Sequence, residues 1–374
     1  MLRRERLVWL VLALVLALGV VAFAGCAAEE GDGDTTGDGE TSEAITVALL
    51  LPETKTARYE TQDRPLFEAK VKELAPDAEI LYSNANQDAA AQQSQAEAAL
   101  TNGADVLVLD PVDSKSAAAI VTKAKEAGVP VISYDRLILD ADVDYYISFD
   151  NEQVGVLQGT ALLDKLTADG NAGKTIVMIN GAPTDNNAKL FKAGAHSVLD
   201  GKVEIGAEYD TPDWSPDKAQ TQMDQAITKL GKGGFVGVYC ANDGTAGGAI
   251  AAMKAAGIDP KTIPVTGQDA ELAGIQRILL GEQFMTVYKA IKLEAEVAAE
   301  MAVALAKGED LPASFEIKGV DNGMKDVDSV LLTPIAVTKE TIADTVVADG
   351  FWSLDQILET AELEAAGAEV GLKK

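Results

Sequence analysis

An α/β fold in two lobes, each a mostly parallel sheet with helices on its faces, is predicted by three features of the sequence. The chain has 374 residues, beyond the size at which one hydrophobic core stops growing. From Ile45 onward, short runs of Val, Ile and Leu alternate with amphipathic stretches of helical length, the signature of repeated βα units. Ten such runs occur, too many for one comfortable sheet, so about five strands per lobe is the economical division.

In chain order the expected strands of the first lobe are ITVALLL (45–51), EILYSN (79–84), DVLVLD (105–110), PVISYD (130–135) and YYISFD (145–150). Those of the second are KTIVMIN (174–180), VEIGAEYD (203–210), FVGVYCAN (235–242), IPVTGQD (263–269) and MTVYK (285–289). Helical spacing is expected over 58–74, 89–101, 114–127, 152–166, 186–199, 216–230, 244–256 and 289–307.

The leading segment speaks to location. MLRRER supplies positive charge, and Leu7 to Ala24 is an unbroken apolar stretch ending in small residues before Cys26, the pattern of an export signal over residues 1–25. FAG before Cys26 resembles the lipobox of bacterial lipoproteins, which would make Cys26 the lipidated first residue of the mature chain and tether it to the outer face of the cytoplasmic membrane. Residues 26–43 have no apolar side chain larger than Ala or Cys and are rich in Asp, Glu and Gly, so they read as a flexible acidic linker. Asp32, Asp34, Thr36, Gly37, Asp38 and Glu43 fall at calcium-loop offsets, but Gly39 stands where such a loop carries its apolar anchor, and the expectation is no metal.

Composition narrows the function classes. Lys and Arg total 31 against 59 Asp and Glu, a net charge of −28, which repels phosphate backbones and argues against a nucleic-acid partner. A sugar-responsive regulator would need a basic helix-turn-helix ahead of the first strand; the signal and acidic linker occupy that place. Catalysis is disfavoured too. His196 is the sole His, no metal-ligand spacing or nucleophile setting is present, and GKGG at 231–234 lacks the phosphate-loop pattern. Cys240, inside the apolar run GFVGVYC, reads as a small buried core residue.

Polar residues recur at the carboxyl ends of the strands: Asp135 and Arg136, Asp150 and Asn151, Asn242 and Asp243, Gln268 and Asp269, and Lys289. In open α/β sheets the ligand crevice lies beyond those ends. A sugar presents a ring of hydroxyls, each donor and acceptor, around C–H faces, so its site needs carboxylates, amides, cationic forks and flat aromatics together. Arg58 and Arg136 donate, Asp135 and Asp269 accept, Asn187 and Asn242 do both, and Tyr59 and Trp214 can cover the faces. Charge-assisted bonds contribute about 1.5–3 kcal/mol each, so a few suffice for micromolar binding, about −8 kcal/mol. The alternative for any single Asp or Asn is a turn former or helix N-cap; for Trp214 it is packing.

Longer stretches carry a resemblance. PETKTARY (52–59), YDR (134–136), ISFDN (147–151), DNNAKLF (185–191), AND (241–243), TAGGAI (245–250), GQDAELAGI (267–275), MTVYK (285–289) and LLTPIAV (331–337) resemble, in order, the sugar-binding members of the type I periplasmic binding protein family. The likeness runs from about Thr46 to Leu354. It implies two Rossmann-like lobes joined by a three-strand hinge, with 44–151 and 288–329 forming lobe one and 152–287 and 330–360 lobe two. It further implies a monomer without cofactor that delivers a monosaccharide to an ABC transporter permease, with xylose first and glucose, galactose or arabinose as alternatives, or that carries it to a chemoreceptor. By the same resemblance Arg58, Asp135, Arg136, Asn151, Asn187, Asn242, Asp269 and Lys289 would line the cleft, with Tyr59 and Trp214 as the stacking pair. Several relatives carry Trp where this chain has Tyr59.

Overall fold

A computed structural model describes residues 44–374. The expected signal peptide, lipidated Cys26, acidic linker and calcium-loop offsets lie outside the described residues.

The chain alternates as the sequence pattern requires: β1 (Thr46–Leu51), a π-turn at Tyr59–Asp63 running into α1 (Arg64–Leu74), β2 (Glu79–Asn84), α2 (Ala89–Thr101), β3 (Val106–Leu109), α3 (Ala118–Glu126), β4 (Val131–Tyr134) and β5 (Tyr145–Phe149). It continues with α4 (Asn151–Ala168), β6 (Thr175–Asn180), α5 (Asn186–Leu199), β7 (Glu204–Asp210), α6 (Pro216–Leu230), β8 (Val238–Cys240), α7 (Asp243–Ala255), α8 (Leu272–Leu280) and β9 (Met285–Tyr288). Last come α9 (Ile291–Ala306), β10 (Ile317–Asp321), β11 (Asp326–Leu332), β12 (Ile335–Thr338), α10 (Leu354–Ile357) and α11 (Ala361–Ala368).

The first sheet has seven strands in the order β10-β11-β5-β4-β3-β1-β2 and is parallel except for the β10–β11 hairpin. Its central strands are near-continuous apolar runs, broken only by the buried Ser133 of β4 and Ser148 of β5, because both faces are covered. Val47, Leu49 and Leu51 of β1 point to Phe67 and Val71 of α1 and to Ala295, Ala298 and Ala302 of α9. Ala48 and Leu50 point the other way, to Ala96 of α2 and Ile120, Val121 and Ala124 of α3. The period-two alternation of a strand thus builds two cores from one run of residues. The alanine face of α9 brings that helix, which follows β9 of the other sheet region, against α1.

The second region holds a three-stranded parallel sheet, β7-β6-β8, and an antiparallel pair, β9-β12. IPVTGQD contributes only a single bridge, Val265 to Val238. The expected five-and-five division is therefore corrected to seven strands against three plus two. The extra strands β10 and β11 are exposed or half-buried at most positions. With charge spread through IKGVD and DVDSVLL, they lack the continuous apolar run that marks a doubly covered strand.

Helices α4 and α5 pack with their backbones almost touching. A Cβ on Gly155 would lie 1.9 Å from the Phe191 carbonyl oxygen, and one on Gly194 2.1 Å from that of Glu152. Gly155→Ala is expected to force the pair apart at a cost of about 2 kcal/mol. Urea unfolding measures this; a loss under about 0.5 kcal/mol would show that the two helices separate freely.

Candidate ligand-binding site

The carboxyl ends of both sheets converge on a small polar cavity. From the first sheet come Thr56, Arg58 and Tyr59 after β1 and Asp135 and Arg136 after β4. The second contributes Asp185, Asn187 and Phe191 at the start of α5, then Trp214, Asn242, Gln268 and Asp269, and Lys289 follows β9. No wall residue is more than 6% exposed. Three of them, Asp135, Trp214 and Asp269, hold positive φ of 54°, 52° and 86°. Non-glycine residues tolerate this only where the surroundings impose it.

The wall carries three cations and three carboxylates in close pairs. Asp135 is the hub: its Oδ1 lies 3.3 Å from Arg58 Nη1 and 3.7 Å from Lys289 Nζ, and its Oδ2 accepts from the Tyr59 hydroxyl at 2.8 Å. Burial alone would raise the Asp135 carboxyl, but the Arg58, Lys289 and Arg136 charges hold it well below the usual carboxylate range. Lys289 Nζ lies 3.0 Å from Asp269 Oδ1. Burial disfavours its charge, yet Asp269 and Asp135 raise its pKa above the ordinary value. Arg136 spans the two sheets: Nε stands 2.9 Å from Asp185 Oδ2 with its N–H turned off the carboxylate, while Nη1 and Nη2 donate to the Pro111 carbonyl and the Tyr59 hydroxyl.

Helix starts position the amides. Asp185 caps α5 by accepting from the Asn187 backbone N–H at 2.8 Å and also receives Trp214 Nε1–H at 3.0 Å. Asn242 closes a capping box with Thr245 on α7, so the cap and the cavity readings of that residue hold together. Trp214 is 5% exposed and meets Phe191 edge-on at 6.3 Å. A Cβ at Gly181 would strike its ring at 2.0 Å, so glycine there leaves the indole its place.

Nine of the ten sequence-predicted residues line the cavity. Asn151 does not: it stands one layer back, donating to Asn187 Oδ1 at 3.0 Å, Ser148 Oγ and Tyr146 Oη, and so orients Asn187, whose Nδ2 donates to the Asp135 carbonyl. Thr56, Asp185, Phe191 and Gln268 are wall residues that the sequence set omits. Asp185 and Phe191 sit inside DNNAKLF, and Gln268 belongs to the strand-end pattern, so those signals were present. His196 lies on α5, away from the cavity, between Asp200 and Glu208; partial burial opposes its charge, but those two hydrogen bonds raise its pKa. Cys240 is buried in β8, its thiol pKa pushed up by burial.

Buried acceptors on the wall retain capacity for a partner: Gln268 Oε1 accepts no hydrogen bond from the protein, and Asp269 Oδ1, ion-paired with Lys289 Nζ at 3.0 Å, receives none of hydrogen-bond geometry. Cationic donors, open acceptors and an aromatic wall in one cavity suit a small, neutral, polyhydroxylated molecule. The wall has no His, Cys or Ser.

Three buried carboxyls near this region hold their protons unusually well. Burial pushes Asp243 up to about 7 against the pull of Arg277, Glu271 up to about 8 with help from Asp243 and Asp269, and Glu294 up to about 8 against Arg58. Between the unfolded carboxyl range and these values the native state binds more protons than the unfolded one, so stability falls as pH rises. The unliganded Tm is therefore expected to decrease from pH 5 to pH 9; a flat or rising profile in thermal melts would refute these assignments.

Two lobes built on parallel sheets, with a polar cavity between their strand ends, define a solute-binding protein of the two-lobed type. The chain belongs to the periplasmic binding protein domain family, whose model matches residues 47–310. It is 41% identical to the D-xylose-binding periplasmic protein of Escherichia coli over 83% of this chain and 92% of that protein. It is 34% identical to the multiple sugar-binding periplasmic receptor ChvE of Rhizobium radiobacter, covering 83% and 92% of the two chains. Among solved structures, an ABC transporter solute-binding protein from Clostridium phytofermentans with bound β-D-glucose superimposes with a TM-score of 0.76 at 31% identity, covering 83% of this chain and 99% of that one.

Proposed function

We propose that this protein captures a monosaccharide, xylose first, in the cavity between its lobes and delivers it unchanged to an ABC transporter permease. The observation that carries this reading is the pairing of Arg58, Arg136 and Lys289 with Asp135, Asp185 and Asp269 around open acceptors and aromatic rings. Matched charges favour a neutral ligand, and forks beside carboxylates engage adjacent hydroxyls. The xylose- and multiple-sugar-binding relatives support the cargo class. The proposed moving bodies are 44–151 with 288–329 and 152–287 with 330–360. Their closure buries the sugar and creates the surface the permease reads. The proposed tether is lipid on Cys26, and the working form is a monomer with Arg58, Tyr59, Asp135, Arg136, Asn187, Trp214, Asn242, Asp269 and Lys289 as ligand contacts.

Calorimetric titration against xylose, glucose, galactose, arabinose and ribose tests this reading. Micromolar or tighter binding of one sugar, recovered unaltered, supports it. Absence of binding by a verified ligand-free protein, or conversion of the sugar, overturns it.

A further inference from the structure

Arg58 is held from behind the cavity wall by two carboxylates that do not themselves line it. Asp63 receives Nε and Nη2 at 2.9 and 2.5 Å, and Glu294 on α9 receives Nη2 at 2.6 Å. Both are buried, Glu294 completely. We propose that Glu294 is a positioning residue for ligand binding, which aims the Arg58 guanidinium into the cavity and makes affinity depend on its own protonation; this rests on the monosaccharide reading above.

Local charge singles out Glu294. The groups facing it are Arg58, just ahead of the π-turn, Asp63 at its end, Tyr134 and Asp135 at the end of β4, Tyr146 of β5, and Lys289 ahead of α9. Two cations thus meet three carboxylates. Asp63 accepts from Arg58 twice and from the Tyr134 hydroxyl. Asp135 is held by Arg58, Tyr59 and Lys289. Glu294 accepts one bond through Oε2, and its Oε1 has no partner, so it is the member that takes the proton. Closure of the lobes over a ligand strips water from Arg58 and Asp135, and in the drier surroundings a third anion costs more. The closed, liganded form therefore holds the Glu294 proton more tightly, and by linkage protonation favours binding.

The test is calorimetric titration of the purified protein and its E294Q and E294A variants with the best-bound sugar at pH 6.5 and pH 9.5, in two buffers of different ionisation heat. Wild-type affinity is expected to fall by about tenfold over this range, one unit of linked pKa change, with net proton uptake on binding near pH 8. E294Q, neutral and of the same shape, keeps the pH 6.5 affinity, loses most of the slope and takes up no proton. E294A binds about tenfold more weakly even at pH 6.5, since Arg58 loses a charge-assisted bond. An E294Q slope and proton uptake equal to wild type, or E294A affinity within about twofold of wild type, would overturn the inference. Should E294A fail to fold, E294Q decides alone. Wild-type protein that binds no sugar sinks the monosaccharide reading itself, a separate result.

Discussion

Asp135→Asn weakens sugar binding about 100-fold, close to 3 kcal/mol, while the protein stays folded. Asparagine keeps the side-chain shape and is among the residues that tolerate the φ of 54° at this position, so what is removed is charge. Arg58 and Lys289 lose their shared counter-ion at 3.3 and 3.7 Å, and Tyr59 loses a charged acceptor. In a cavity where every wall residue is buried, solvent cannot replace that carboxylate, and leaving buried cations short of a partner costs several kcal/mol. The remaining carboxylates soften the loss of fold stability: Asp63 and Glu294 still hold Arg58, and Asp269 still holds Lys289. The measurement is titration with the best-bound sugar beside a thermal melt. Affinity within a factor of about three of wild type would remove Asp135 from the ligand contacts.

Asp243→Ala is expected to be the most destabilising of the single changes considered, by about 3 kcal/mol or more. The carboxylate lies at the start of α7, fully buried. Its Oδ2 accepts from the Glu271 backbone N–H at 2.9 Å and the Thr286 hydroxyl at 3.1 Å, and its Oδ1 from Gln283 Nε2 at 2.6 Å. It ties the end of β8, the approach to α8 and strand β9 to one point. Gly267 and Gly274 leave it room: a Cβ on either would lie 2.0 or 2.3 Å from its oxygens. Alanine strands three donors in a dry interior. Urea unfolding that shows less than about 1 kcal/mol of loss would demote the network to surface-like value. Sugar affinity of the folded fraction is expected to change little, because Asp243 is not on the cavity wall.

Much of the architecture is legible in the residues. VLVL is apolar at every position, and VISY departs from that only at Ser133, which is buried with the rest; a near-continuous apolar run is what a strand covered on both faces needs, so parallel order and two helical layers follow. Strand-end polar residues follow too, since the crevice of such sheets has a fixed side. What escaped was of two kinds. The β10–β11 edge has no continuous apolar run, and hydrophobic periodicity is silent where a strand is half exposed. The carboxylates behind the wall, Asp63 and Glu294, sit within helical surroundings as ordinary acidic residues. Glu294 in IKLEAEVAAE differs from Glu296 two positions on only in which face of α9 it occupies.

The sequence by itself determined the alternation of strands and helices, the side on which a crevice opens, the acidic charge that disfavours nucleic acid and the residue types suited to a polyol. These follow from local period and chemistry, which one chain carries in one dimension. Only the tertiary structure decided which carboxylate meets which cation. It puts Glu294 beside Arg58, 236 positions away in the chain, sets Asn151 one layer behind Asn187, and lets Asp185 join Arg136 to Trp214. Pairings across such separations depend on how the sheets and α9 pack, and Coulomb energy in a dry cavity changes steeply over the ångström differences that packing sets.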